Sequence, residues 1–157
     1  MPPREQSPDA PAPSQAPSPA LPRRLMAILY DTFLVLPLIM LNVAIGLGLF
    51  KALGGGGDPQ LHPQLVQLIA LLTIIAFFSA FWLKSGQTLG MQAWRLQLVS
   101  RDGAPLRLSQ AVRRCLGAML SAACLGLGYW WCLLDRQGHS WHDYMSGTEL
   151  VLVAKRA

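Results

Sequence analysis

Residues Pro22–Met40 read PRRLMAILYDTFLVLPLIM, with two arginines at the mouth of an apolar run and Asp31 two turns inside it. The run continues to Phe50, and between Leu25 and Phe50 Asp31 is the single charge. A carboxylate placed in hydrocarbon has to be offset by a partner, a water-filled cavity or a function. Two further stretches, Leu65–Leu83 and Leu116–Leu134, carry no charge at all. Each reaches roughly the 20 apolar residues that cross about 30 Å of hydrocarbon. The 157-residue chain is 52% hydrophobic and 13% charged, where a soluble domain carries about a quarter charged residues. These observations define an all-α membrane protein with two full transmembrane helices, over about residues 24–50 and 65–84, and a third apolar helical segment over about 109–135.

Charge placement then orients the chain. The net charge of +5 does not point to nucleic acid, because the basic residues flank the apolar stretches without forming a patch with interleaved aromatics. Lys84 to Arg114 holds six of the thirteen basic residues and one acid, Asp102, which marks it as the inside loop. Residues 1–20 are rich in Pro, Ala, Ser and Gln with nothing to bury, and read as a disordered tail. The run after Arg23 and Arg24 is too long for a signal-peptide core, so it reads as a retained first helix with a cytoplasmic N-terminus. Pro37 is expected to kink that helix. KALGGGGDPQLHP, Lys51–Pro63, reads as the outside loop; Trp82 and Lys84 read as interface anchors. These placements imply a multi-pass membrane protein whose N-terminus and Lys84–Arg114 loop lie on the cytoplasmic side.

LQLVS alternates and ends at the turn signal Asp102-Gly103, and TELVLVAK near the C-terminus alternates likewise. Two such strands, about 95–100 and 148–154, are expected to pair on the cytoplasmic side, since neither is stable alone. Pairing would force the third apolar stretch to enter and leave by one face, re-entrant or broken at Gly126–Gly128. Its length also permits a straight third span, and both readings stay open.

Several residues are candidates for chemistry. Asp31 follows Arg24 by seven residues, so the two share a helical face, and Arg24, Arg113 or Arg114 is the expected partner. It reads either as a salt bridge locking helices together or as a cation- or proton-linked site. DRQGHSWHDYMSGTE, Asp135–Glu149, gathers His139 and His142 with Asp135 and Asp143. An isolated H-x-x-H pair is weak as a metal site, and no metal or cofactor is expected. His142 and Asp143 are instead expected to hydrogen-bond to backbone or arginines, with Trp141 and Tyr144 at the headgroups. Cys115, Cys124 and Cys132 fit no disulfide or zinc spacing and read as packing residues. Gly117/Ser121 and Ala118/Ala122 are small-xxx-small pairs suited to helix contact or self-association. No nucleophile–base–oxyanion arrangement is present, so no enzymatic activity is expected.

RRLMAILYD, SGQTLGMQAWRLQLVSRDGAPL, AVRRCLGAML and LLDRQGHSWHDYMSGTELVLV occur in this order and together resemble the RDD family of small bacterial membrane proteins, named for one Arg and two Asp. The resemblance spans about Leu21–Val153. It implies that Arg24 is the Arg and Asp31 the first Asp, with Asp143 or Asp135 as the second. Arg114, Thr88 and Gly90 also fit its pattern. It implies transport of ions or small solutes and no cofactor. One chain supplies few helices for a pore, so transport requires a homo-oligomer or a membrane-protein partner within the lipid bilayer. The other reading is a non-transporting scaffold or assembly factor in which the same charges are structural clamps.

Overall fold

The computed structural model describes residues 18–54 and 61–153. The tail expected over 1–20 and the tetraglycine loop lie mostly outside these residues, as do Lys155 and Arg156. Two long helices, α1 (Leu21–Ala52) and α2 (Pro63–Ser85), form an antiparallel pair. Both are long and apolar enough to cross a membrane. α1 starts at Leu21 with Pro22 in its first turn, where the missing proline N–H is no loss, and it continues unbroken through Pro37. In mid-pair the Asn42 amide donates to Thr73 Oγ1 at 3.1 Å, and Thr73 in turn donates to the Ile69 carbonyl. Such bonds join helices where water offers no competing partner.

α2 stops at Gly86, whose φ of +71° is the left-handed conformation that favours glycine at a helix end. The short helix α3 (Leu89–Ala93) and strand β1 (Leu96–Ser100) follow. β1 pairs antiparallel with β2 (Thr148–Leu152), in a register running from Leu96 opposite Leu152 to Ser100 opposite Thr148. The outer edge of β1 is covered: Leu98 N–H donates to the Gly86 carbonyl at 2.8 Å, and the Gln87 amide to the Leu96 carbonyl at 2.7 Å. A two-stranded sheet is marginal alone; here β1 is held on both edges, by β2 and by the Gly86–Gln87 segment. Leu96 and Leu98 are buried with Ala27, Trp82, Met91, Ala111 and Cys115 in the core. Trp82 is therefore no interface anchor: its indole N–H lies 3.4 Å from Met91 Sδ, and the Arg114 guanidinium stands 5.6 Å from its ring centre.

Between the strands lie α4 (Leu108–Ala123), α5 (Leu127–Trp130), a 3-10 turn (Trp131–Leu133) and α6 (Trp141–Ser146). The third apolar stretch is thus not one straight helix: the axis turns by 96° between α4 and the segment 127–134. Leu125 and Gly126, at φ +56° and +78°, make the corner. Gly128 lies past the corner, inside α5, where an added Cβ would come within 2.8 Å of Ser121 Cβ. Arg101 N–H donates to the Gly147 carbonyl at 3.1 Å, so the excursion leaves and returns at one end of the α1–α2 pair. Sixteen residues of α4 reach only about 24 Å, short of the roughly 30 Å hydrocarbon core.

Candidate functional site

Two arginines from different helices converge on one carboxylate. Arg24, one turn into α1, places Nη1 3.2 Å from Asp143 Oδ2, and Arg114 of α4 places Nη1 2.5 Å from Asp143 Oδ1. Asp143 sits in the first turn of α6 and accepts the Ser140 N–H at 2.7 Å. A carboxylate three residues after Ser140 is the reciprocal capping pattern that starts a helix. Arg24 also donates to Ser140 Oγ at 2.9 Å, to the Gly138 carbonyl at 2.7 Å and to the Pro19 carbonyl at 3.1 Å. Arg114 donates to Thr148 Oγ1 of β2 at 2.9 Å. The cluster therefore ties α1, α4, α6 and β2 together. Arg24 and Arg114 are each 3% exposed and Asp143 is fully buried.

Burial alone would push the Asp143 carboxyl up. The Arg114 guanidinium, the Ser140 N–H and Arg24 outweigh it and hold Asp143 well below the usual carboxylate range. His142, beside it, is pushed down to about 3, first by burial and then by the neighbouring Arg114 charge, so its ring is neutral. That ring packs on Tyr129 with centres 4.8 Å apart, and its Nδ1 has no hydrogen-bond partner among the described residues. The expected hydrogen bonds to arginine are made by Asp143 and not by His142.

Asp31 occupies a different environment. It is 2% exposed, yet no cation lies within 4.0 Å of it among the described residues. Arg24, seven residues away on the same face, is committed to Asp143, and Arg113 is exposed with its Nε on the Ser109 carbonyl. The expected pairing of Asp31 with an arginine is thus not found. Sequence spacing alone suggested it, but helix rotation aims both side chains at neighbouring elements. Asp31 instead accepts from Thr88 Oγ1 at 2.5 Å and from Gly90 N–H at 2.9 Å. Thr88 also caps α3 by accepting the Met91 N–H at 3.2 Å. Gly90 is required where it stands, because a Cβ there would lie 2.9 Å from Asp31 Cγ and run into the Ala27 carbonyl oxygen.

Asp135 lies apart from both sites. It accepts the His139 N–H at 2.7 Å and the Tyr144 hydroxyl at 3.0 Å, with His139 Nδ1 at 3.5 Å. The other ring nitrogen of His139 lies 3.4 Å from Glu149. Among the described residues no group of three or more His, Cys, Asp or Glu is placed to hold a metal ion. Gly117 and Ser121 pack within the chain, Gly117 against His142 and Met145 and Ser121 against Gly128, so that pair serves internal contact. Ser140, Gly138, Thr148 and Tyr129 were not singled out from sequence. The S-x-x-D spacing of Ser140 and Asp143 was the readable signal for the first; the others carry none.

A cavity of about 320 Å³ lies between α1, α2 and α4, its walls apolar apart from Arg24, Asp31, Thr32, Arg114, Tyr129 and His142. Two apolar helices able to span a membrane, a bent third segment and a buried Arg–Asp–Arg cluster define a small helical protein of the membrane type. The model of the RDD family matches residues 18–147, most of the chain, and the chain belongs to that family. No curated protein and no solved structure gives a significant match.

Proposed function

We propose that this protein is a non-enzymatic, multi-pass scaffold of the bacterial inner membrane, in which the signature charges are clamps that fasten a re-entrant α4–α5 segment and a cytoplasmic strand pair onto the α1–α2 hairpin. One observation carries the reading: Arg24 and Arg114 share Asp143 at distances of 3.2 and 2.5 Å in a site at most 3% exposed. The groups are spent on one another: Arg114 takes one Asp143 oxygen, and Arg24 with the Ser140 N–H takes the other, which leaves the carboxylate little capacity for a passing ion. On this reading Asp143, bonded to both arginines, is the second signature acid, and Asp135 is a local brace. The six basic residues from Lys84 to Arg114 support a cytoplasmic position for this end. The partner held in the membrane is a second copy of the chain or another membrane protein.

A second reading is favoured by one feature. Arg24, Asp31, Arg114 and His142 all line the same cavity, as an oligomeric carrier with Asp31 as its titrating or cation-coordinating group would require. Reconstitution in liposomes separates the two. Proton and sodium gradients should decay at the same rate for the wild type, Asp31→Asn and protein-free vesicles. Faster decay with the wild type than with a folded Asp31→Asn protein would establish transport and overturn the scaffold.

A further inference from the structure

The cavity has more polar capacity than the clamp consumes. Arg114 spends Nη1 on Asp143 and Thr148, while its Nε and Nη2 make no hydrogen bond among the described residues. His142 is 4% exposed, lines the cavity, and has an unpartnered Nδ1. The Tyr129 hydroxyl, on the same lining, likewise makes no hydrogen bond among the described residues. Buried polar groups are normally partnered; here the buried His142 Nδ1 stands open beside the half-buried Tyr129 hydroxyl and the free edge of Arg114, a waiting set of hydrogen bonds. Asp31, also on the wall, keeps one oxygen on Thr88 and the other on Gly90. Arg24 and Arg114 against Asp143 carry one positive charge in excess at the floor, which the Asp31 carboxylate further along the wall balances over the cavity as a whole.

Above this floor the walls are apolar. Along α1 the cavity is lined from Arg24 to Ile39, about 22 Å of helix axis. Leu36 on α1 and Met119 on α4 both line it and are 52% and 38% exposed. The cavity therefore opens along the seam between α1 and α4, on an exposed apolar surface. Its volume of about 320 Å³ lies at the small end of the range for small-molecule sites.

We infer that this cavity binds a long-chain carboxylate amphiphile, its chain along the α1–α4 seam and its carboxylate on Arg114, Tyr129 and His142. The carboxylate is singled out by the burial of Arg114 and His142: groups 3% and 4% exposed, beside a half-buried Tyr129, admit a head no wider than its own chain, which a glycerophosphate headgroup is not. Arg114 supplies the planar donor edge that a carboxylate matches, Tyr129 O–H donates, and the neutral His142 ring donates in its Nδ1–H tautomer.

The test is equilibrium binding of radiolabelled hexadecanoate to the full chain in nanodiscs of zwitterionic lipid, with hexadecanol and phosphatidylglycerol as competitors. Saturable binding of one hexadecanoate per chain is expected, displaced by unlabelled hexadecanoate and not by either competitor. Ala118→Leu and Ala122→Leu each fill the cavity wall without touching the clamp, and should weaken binding at least about tenfold. Tyr129→Phe should weaken it about fivefold, the worth of one net hydrogen bond. Folding of each variant is checked by its melting temperature, and hexadecanol competition on the wild type decides if no variant folds. Absence of saturable binding, displacement by hexadecanol or by phosphatidylglycerol, or unchanged affinity in a folded wall variant would each overturn the assignment.

Discussion

Two carboxylates, Asp143 and Asp31, are almost equally buried, at 0% and 2% exposure, yet they are solvated by opposite means. Asp143 stands at the end of the helix pair, where α1 and α4 each send it a guanidinium and its own helix start adds an N–H. Asp31 stands inside the apolar run of α1 and receives only a hydroxyl and a backbone N–H from the α3 turn. The difference shows what α1 does with its two charges. Arg24 grips the arm that leads into β2, and Asp31 grips the arm that leads into β1. The strands then meet in register between these two posts. Where long basic side chains can reach, the protein answers charge with charge. Within the span it answers with dipoles, which are cheaper to bury.

The contrast breaks first at Asp143. Asp143→Asn should remove the shared anion and leave two guanidiniums facing each other without compensation. Breaking a buried pair in this way costs about 3–5 kcal/mol, and here two pairs are lost together. Unfolding in mixed micelles should show that loss, and the protein should accumulate poorly in the membrane. A fall below about 1 kcal/mol would mean that water reaches the cluster and that it is not a clamp.

Acid is the next lever, and the two sites predict different windows. The His142 pKa is depressed to about 3 in the folded chain, against about 6.5 when unfolded. As pH falls below the unfolded value the unfolded state takes up a proton that the folded state refuses, so stability declines towards the folded pKa. The slope is about 1.4 kcal/mol per pH unit for one proton, or at most roughly 3 kcal/mol from about pH 6 to about pH 4. Asp143, also depressed, adds its loss only below its unfolded value of about 3.9. His142→Phe keeps the packing on Tyr129 and should flatten the upper window alone. An unchanged slope in that variant would show that His142 is not the titrating group.

Gly90→Ala probes the other post. Its Cβ would meet a backbone carbonyl, that of Ala27, and the Asp31 carboxyl at 2.9 Å. The carbonyl belongs to a rigid helix and cannot yield, so α3 must withdraw from α1 at a cost of roughly 2–3 kcal/mol. Thermal melts should show the loss; a neutral substitution would mean that α3 is not pressed on α1.

How far these sites were legible depends on the distance over which each pattern acts. The apolar lengths of α1 and α2 and the turn at Asp102-Gly103, where Gly103 has φ +71°, are local and were readable. The strand pair was readable too, because two short alternating segments have few ways to be satisfied. Of the two readings the sequence left open, the broken one put the corner at Gly126–Gly128, but half of the corner is Leu125, a residue with no propensity for φ +56°. Pairing was the failure. Arg24 and Asp143 lie 119 residues apart, and no periodicity connects them, whereas Arg24 and Asp31 share a helical face and invited a false match. The role of GQTLG, Gly86–Gly90, was hidden for the same reason. Gly86, Gln87, Thr88 and Gly90 are each fixed by a contact to α1, α2 or β1 that only the assembled chain supplies.

Thr88→Val tests the smallest term and the one most particular to Asp31. Valine matches threonine in shape, so packing is kept while two hydrogen bonds are lost, the one to Asp31 Oδ2 and the one from Met91 N–H. Asp31 then retains Gly90 N–H alone. The first loss is that of a charge-assisted bond and the second that of a helix cap, but a water admitted beside α3 can replace part of both. The expected cost is about 1–2 kcal/mol. The local signature is sharper than the global one: the Gly90 and Met91 amides should exchange with deuterium well before the amides of α1. Thr88→Ser restores the hydroxyl and should restore protection, which a purely steric role for Thr88 would not produce. If Thr88→Val leaves those amides as protected as in the wild type, Asp31 is not what holds α3, and the division of α1 into two posts fails.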